Sequence, residues 1–114
     1  SIEVVQDDRE VEASHILLRI PQSADAPRVI EELEAIKSEI TDFESFKLQA
    51  SEKSSCPSAA KGGFLGRFKR GQMVPRFDDL AFNGEIGQVL GPIQTLYGGH
   101  LIWVSSRSNS VNGE

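Results

Sequence analysis

Three side chains with acid-base or nucleophilic chemistry are spread widely along this sequence. The two histidines, His15 and His100, each lie in an apolar run, and the single cysteine, Cys56, lies between them. A thiol with two imidazoles is compatible with a nucleophile and its general base, or with a three-ligand metal site. The long stretches of chain between the three residues provide no compact ligand spacing, so spacing alone selects neither chemistry.

The same residues also have a purely structural interpretation. A histidine in a buried strand usually bonds to a backbone or hydroxyl group, which Ser14 or Thr95 could provide, and a lone cysteine usually packs as a small hydrophobe. Sequence spacing alone favours this interpretation. Side chains alternate across a strand, however, so His15 and His100 would meet on one face if their two strands were neighbours.

The segment that follows Cys56 has three features of lower specificity. Its GGFLG run at 62–66 lacks the Lys-Ser/Thr of a P-loop and does not fit GxGxxG, so nucleotide binding is excluded. Its basic residues are interpreted as a solvated face, with attraction of acidic substrate residues as the alternative; they are Arg67, Lys69, Arg70 and Arg76. Leu65, Met73 and Phe77 lie near turns, where apolar side chains either join the core or line a groove.

The composition excludes several classes of protein. A chain of 114 residues is about one domain long. A net charge of −5 argues against broad binding to nucleic acid, and no apolar stretch approaches the ~18 residues of a membrane span. One cysteine excludes an intrachain disulfide framework. Because the chain begins with Ser1, we expect a processed or excised segment, from the bacterial cytoplasm or from an organelle such as the plastid stroma.

Apolar periodicity predicts the elements that position these residues in the first half of the chain. An apolar, β-rich run predicts a strand over 11–20, which a proline ends. Apolar residues recurring at helical spacing predict a helix over 26–40, with Asp25 as its N-cap. A capping box from Thr41 to Glu44 predicts a short second helix directly afterwards.

Glycine-rich turns predict shorter elements in the second half, where nine of the ten glycines lie between Gly62 and Gly99. The pattern predicts strands over 64–68, 88–93 and 100–104, with a short helix over 76–83. We expect the long first and last strands to pair in a small α+β sheet. The predicted domain covers residues 11–105, between a flexible acidic segment over 1–10 and a flexible tail or linker over 106–114.

Four motifs in a fixed order resemble the parvulin family of peptidyl-prolyl cis/trans isomerases. SHILLR over 14–19 is similar to the family's first-strand histidine motif, and CPSAAKGGFLGRFKRGQMVPRFD over 56–78 is similar to its long central signature. The Gly91-Pro92 pair and TLYGGHLI over 95–102 complete the match. The resemblance covers about residues 11–105.

The resemblance implies a four-stranded antiparallel sheet surrounded by three to four helices, in the order β-α-α-(α)-β-α-β-β. It makes His15 and His100 the paired histidines of the active site. It makes Cys56 the family's Cys-or-Asp position, and Thr95 a hydroxyl bonded to the histidines. The implied pocket for the substrate proline ring consists of Leu65, Met73 and Phe77.

The resemblance also implies rotation about X-Pro bonds in unfolded or flexible segments, assisting folding, without a metal or other cofactor. The expected partners are proline-containing peptides or proteins, not nucleic acid or a membrane, and we expect a monomeric domain fused to others in the full-length chain. A non-catalytic proline-peptide-binding or chaperone module and a Cys-His hydrolase stay open as alternatives. Phospho-directed members carry a basic cluster after the first strand, whereas the loop 20–27 has none and contains Asp25, which favours the non-phospho-specific type.

Overall fold

The computed structural model describes residues 7–109, which form four strands and three α-helices. The strands are β1 (Glu10–Leu18), β2 (Phe64–Lys69), β3 (Val89–Thr95) and β4 (Gly98–Arg107). The helices are α1 (Ala26–Ser38), α2 (Phe43–Lys53) and α3 (Pro75–Asn83). Of two short 3₁₀ turns, Ser23–Asp25 was not expected from the sequence, whereas Pro57–Lys61 lies where the resemblance implied an optional third helix. Within the described residues, none of the helices has the length and apolar character needed to cross a membrane.

The four strands form one antiparallel sheet in the order β2-β1-β4-β3, so the two long strands lie side by side at its centre. Their register places His15 opposite Ile102, and Leu17 opposite His100. The predicted pairing of the first and last strands is therefore confirmed, as is the α+β class with its antiparallel sheet.

Each face of the central strands packs against different helices because side chains alternate along them. Ile16 and Leu101 point to the face covered by α1 and α2, where they join Leu33 and Phe46 in one apolar cluster. The opposite face is covered by α3, and its cluster contains Ala13, Phe68, Phe77, Phe82, Ile102 and Val104. Full burial of a large apolar side chain contributes about 1.5–3 kcal/mol to the free energy of unfolding. The apolar cluster on the α3 face is therefore a stable support for polar groups on the same face.

Helix α2 begins one residue later than the sequence predicts. Its N-cap is Asp42 instead of Thr41, and the reciprocal partner is Ser45 instead of Glu44. The Asp42 carboxylate accepts from the Ser45 backbone N–H at 2.8 Å, and the Ser45 hydroxyl accepts from the Asp42 N–H at 3.0 Å. A charged oxygen next to the positive helix terminus is at least as good a cap as a hydroxyl, which explains the shift.

The sheet extends slightly beyond the predicted domain limits. Glu10 already belongs to β1, and β4 continues to Arg107, because the register pairs Val11 with Arg107 and Glu12 with Ser106. The sheet therefore includes residues that the sequence placed outside the domain. The predicted flexible residues 1–6 and 110–114 lie outside the described residues.

Candidate active site

The two histidines lie together on the α3 face of the central strands. His15 comes from β1 and His100 from β4, where His100 pairs with Leu17, two residues along β1 from His15, so the two side chains are diagonal neighbours on the same side of the sheet. Their Nδ1 atoms are 3.2 Å apart, and the two residues are only 6% and 3% exposed. The approach expected from strand alternation is confirmed.

Thr95 extends this contact into a chain of hydrogen bonds. Its Oγ1 lies 2.7 Å from His100 Nε2 and accepts the Tyr97 backbone N–H at 3.1 Å. Ser14 does not contribute, because it lies opposite Trp103 on the other face and its hydroxyl has no partner within residues 7–109. Of the two hydroxyls considered from the sequence, the structure therefore selects Thr95.

A hydrogen bond between the two Nδ1 atoms requires a proton on one of them and a lone pair on the other. The position of Thr95 favours one of the two possible arrangements of protons. If Thr95 donates to His100 Nε2, then His100 Nδ1–H donates to His15 Nδ1, and His15 carries its own proton on Nε2. The opposite arrangement needs a further acceptor for the Thr95 proton. In the first arrangement, the proton on His15 Nε2 has no acceptor in the described part of the chain, where this atom is buried without a hydrogen-bond partner.

Both imidazoles are uncharged at neutral pH. Burial, and then the proximity of His100, lower the pKa of His15 to about 4. Burial also lowers the pKa of His100 to about 4. The pair therefore acts as a neutral, oriented hydrogen-bonding unit at pH 7 and not as a cationic centre.

An apolar pocket of about 120 Å³ opens beside the histidines. It is lined by His15, Leu65, Met73, Val74, Phe77, Tyr97 and His100. Phe77 forms its base, with edge-on contacts at ring-centroid distances of 5.7 Å from His15 and 5.4 Å from His100. Ligand pockets for drug-sized molecules are several times larger, so this pocket suits a single small ring.

Sequence reasoning identified five of the residues in this lining and missed two. Val74 precedes Pro75, the first residue of α3, so the helix start holds it at the pocket edge. Tyr97 lies in the turn between β3 and β4 and is 55% exposed. The helix start at Pro75 was a sequence signal that could have placed Val74 at the pocket. The position of Tyr97 depends on the geometry of the turn, which no local pattern predicts.

Cys56 lies outside the lining of the pocket. It is half-buried and begins the 3₁₀ turn after α2. The preceding residues attach this segment to β1, since Leu17 donates its N–H to Ser54 Oγ at 3.0 Å and accepts from the Ser55 N–H at 2.7 Å. Leu17 is the strand partner of His100, so the segment that precedes Cys56 is attached to β1 at the level of His100, while the thiol does not form the pocket wall.

The metal-site hypothesis finds no cluster to support it. Between residues 7 and 109, the structure brings no three His, Cys, Asp or Glu side chains into a group that could hold an ion.

The hydrolase hypothesis is weakened by the hydrogen bonds of the histidines. The Nδ1 atoms of His15 and His100 are engaged with each other, and His100 Nε2 is engaged with Thr95.

A shallow groove of about 550 Å³ continues from the pocket along the start of α3 and the end of β3. It is lined by Val74, Pro75, Arg76, Gln94, Thr95 and Leu96. Val74 is shared with the pocket, and Leu96 is 80% exposed at the turn. An extended peptide with one ring in the pocket therefore has a continuous surface for its flanking residues.

Residues 15–106 match the family model described as "Rotamase: PPIC-type PPIASE domain". The chain is 44% identical over 102 residues to "Foldase protein PrsA" of Halalkalibacterium halodurans, covering 89% of this chain and 28% of that protein. It is 35% identical to the Arabidopsis thaliana "Rhodanese-like/PpiC domain-containing protein 12, chloroplastic", covering 90% of this chain and 32% of that protein. The chain thus spans about a third or less of these relatives.

A solved structure gives the same arrangement of elements. PrsA from Bacillus anthracis superposes with a TM-score of 0.72 at 30% identity, covering 91% of this chain and 44% of that chain. A crystal structure of a PpiC-type peptidyl-prolyl cis-trans isomerase domain superposes with a TM-score of 0.79, covering 90% and 94% of the two chains. Its identity to this chain is 22%, so that similarity concerns the fold alone.

Proposed function

The chain belongs to the PPIC-type peptidyl-prolyl isomerase family, and from this premise we propose that its pocket holds the proline of flexible or unfolded segments during X-Pro rotation. The observation that supports this proposal is an apolar pocket, large enough for a single ring, that is lined in part by a neutral, buried histidine pair. The domain is a peptidyl-prolyl cis/trans isomerase, and the roles of its individual residues in X-Pro rotation are our proposal.

The pocket acts through the difference between planar and twisted amides. Resonance in the planar X-Pro bond produces a rotation barrier of about 18–20 kcal/mol. The twisted amide has lost that resonance, so it has a smaller dipole and is less harmed by removal of water than either planar form. Enclosing the proline ring between Leu65, Met73 and Phe77 therefore favours the twisted state over the planar one.

The histidine pair supplies a neutral, oriented polar layer beside the pocket. In the arrangement favoured by Thr95, His15 Nε2 carries a proton, and because this atom is buried without a partner among the described residues, it meets a polar atom of the substrate only when the side chains around it move apart. Phe77 contacts both imidazole rings and so links the ring-binding wall to the polar chain. Cys56 provides a polarisable group near this network and does not form a covalent bond in the proposed mechanism.

The full-length protein is expected to contain further domains, since the chain spans only part of its relatives. We propose that it assists folding of other proteins, as the name foldase states for the bacterial relative. The bacterial cytoplasm and the plastid stroma are our two proposed compartments, the second because one relative is named chloroplastic.

Exchange NMR on a short proline peptide tests the proposed function. We expect this domain to accelerate cis/trans exchange of an unphosphorylated Ala-Pro peptide, and chelator should leave the rate unchanged because no cofactor takes part. The uncatalysed exchange takes tens to hundreds of seconds, so even weak catalysis is measurable.

The same spectra separate the alternatives. Line broadening of the peptide without faster exchange would indicate a non-catalytic binding module, and new peptide fragments would indicate hydrolysis. Exchange at the rate of the free peptide, at high protein concentration, would refute the proposed function.

Phosphorylation of the residue before proline is expected to change catalytic efficiency by less than about tenfold, or about 1.4 kcal/mol. A phosphate needs converging Arg or Lys side chains. Arg28, in the first turn of α1, lies 3.4 Å from Asp25 in the loop after β1, so one of the two nearby cations is already paired with a carboxylate that repels phosphate. Arg19 is exposed and alone cannot form a clamp.

Matched Ala-Pro, Ser-Pro, phospho-Ser-Pro and Glu-Pro peptides measure this preference. A hundredfold preference for the phosphopeptide that disappears in an Arg19→Ala/Arg28→Ala variant would contradict the expectation. The Arg67→Ala variant is a control, because that residue lies on β2 near Glu10 and Glu12 and away from the loop.

A further inference from the structure

The segment 70–74, which we call the strap, carries two walls of the proline pocket but has no regular structure. It joins β2 to α3, and it delivers Met73 and Val74 to the pocket lining. Residues in an irregular segment are positioned by their individual contacts instead of by a helix or sheet ladder. The contacts that hold the strap therefore determine how well the pocket is formed before substrate arrives.

Asp78 makes the central contact to the strap. It is 5% exposed and follows Phe77, the base of the pocket, in the first turn of α3. Both of its carboxylate oxygens lie 3.1 Å from the Gly71 N–H, and Oδ2 lies 3.3 Å from Arg70 Nη1. Because the carboxylate is one partner, its hydrogen bonds to the strap are charge-assisted, and such bonds are about twice as strong as neutral ones. The carboxylate therefore holds the strap firmly against α3.

The strap geometry requires a glycine at the point of contact. Gly71 has φ of +90°, a left-handed conformation that other residues adopt at a cost. This conformation directs its N–H towards Asp78. The neighbouring Lys69 N–H donates to Gln72 Oε1 at 2.6 Å, so the turn is closed on both sides of the glycine.

Arg70 ties the strap to α3 a second time. Its Nη1 donates to the Asp78 carbonyl oxygen at 3.2 Å, and its Nη2 donates to Asp79 Oδ1 at 2.7 Å. Its guanidinium also lies 5.5 Å from the centre of the Phe82 ring. Asp79 is exposed, and among residues 7–109 its carboxylate bonds only to the arginine, whereas the Asp78 carboxylate bonds to both the arginine and the strap backbone.

We propose that Asp78 is a positioning residue that fixes the strap, and through it Met73 and Val74, in the geometry that receives the proline ring. This role rests on the proposed function of the pocket. When the strap is ordered before binding, no binding free energy is lost in ordering it. A loosened strap must be ordered in every complex, whether the bound X-Pro bond is planar or twisted, and this ordering costs binding free energy. Loss of the contact therefore weakens substrate binding and leaves the bound-state rate nearly unchanged.

Asp78→Asn tests the proposal, because it keeps the shape of the side chain while removing its charge and one acceptor oxygen. We expect KM for an Ala-Pro peptide to rise about tenfold and kcat to stay within about twofold. Glu44→Gln removes one negative charge from an exposed ion pair with Lys47 on α2, outside the strap and the pocket, and should leave both constants nearly unchanged. Assays are run well below the unfolding temperature of each variant, so that a merely structural loss of stability does not alter KM.

A second measurement reports on the strap without relying on catalysis. The Gly71 amide should exchange with solvent deuterium at least tenfold faster in Asp78→Asn than in Glu44→Gln. An unchanged KM and an unchanged Gly71 exchange rate would each overturn the proposal. If Asp78→Asn does not fold, Arg70→Met, which keeps an apolar stem over Phe82, should raise KM about threefold, and no rise would overturn it. An inactive wild-type domain with a protected Gly71 amide would instead contradict the proposed function of the pocket.

Discussion

Met73→Ala is expected to reduce kcat/KM for X-Pro isomerisation by about a hundredfold, or about 2.7 kcal/mol, whereas Cys56→Asp reduces it by less than about tenfold. Met73 is half-buried and forms one wall of the pocket. Truncation of a packed methionine to alanine typically costs about 2–5 kcal/mol in a core, and here it also admits water to the proline ring. Peptide exchange NMR at several substrate concentrations measures the effect.

Cys56 is expected to tolerate substitution because it stands outside the pocket lining. An aspartate there retains a polar group beside the segment that is bonded to Leu17. Leu48→Ala is a matched control for loss of an apolar side chain, since Leu48 is 56% exposed on α2 and should have no effect. Folded but inactive Cys56→Asp and Cys56→Ser, together with a nearly normal Met73→Ala, would favour covalent catalysis by the thiol.

The pairing of the histidines is predictable because a strand repeats every two residues. Once the two apolar runs are assigned to neighbouring strands, the phase of each run places its histidine on a definite face. The structure adds the register, with Leu17 opposite His100, which no local pattern specifies. The hydroxyl partner also depends on it, because Thr95 reaches His100 only through the tight turn between β3 and β4.

The strap and the cysteine segment could not be predicted in the same way. Both are irregular, so their positions depend on contacts with distant residues and not on a repeating pattern. From the sequence, Arg70 was interpreted as part of a solvated basic face, but it is bonded to Asp78 and lies near Phe82. Asp78 itself resembles any acidic residue near a helix start until the fold buries it at 5% exposure.

The free energy of unfolding is expected to fall steeply when the pH is lowered from 7 to 5. In the unfolded chain both histidines titrate near their ordinary pKa of about 6.5, whereas in the folded domain burial lowers both values to about 4. Above pH 6.5 neither state binds these protons. Between pH 6.5 and 4 the unfolded chain binds them and the folded domain does not, so stability is lost as the pH falls.

The carboxylates with altered pKa values act at lower pH and do not obscure this window. The ion pair with Arg9 lowers the pKa of Asp7 to about 2, and the Ser45 amide and hydroxyl lower that of Asp42. Both groups favour the folded state above the ordinary value near 3.8. Their contribution is lost only as the pH falls below that value, so histidines dominate the change between pH 7 and 5.

Urea unfolding at pH 7 and pH 5 measures the effect, which linkage puts at about 2 kcal/mol for each histidine. The sequence contains only these two histidines, so a His15→Gln/His100→Gln variant removes the whole effect. That variant should be less stable than wild type at pH 7, by about 1–3 kcal/mol for each polar partner left unsatisfied, yet nearly independent of pH down to 5. Equal pH dependence in wild type and variant would mean that the imidazoles are accessible to protons in the folded domain. A neutral pair enclosed beside the proline pocket would then no longer be tenable, since the same burial that lowers their pKa values keeps water from the twisting amide.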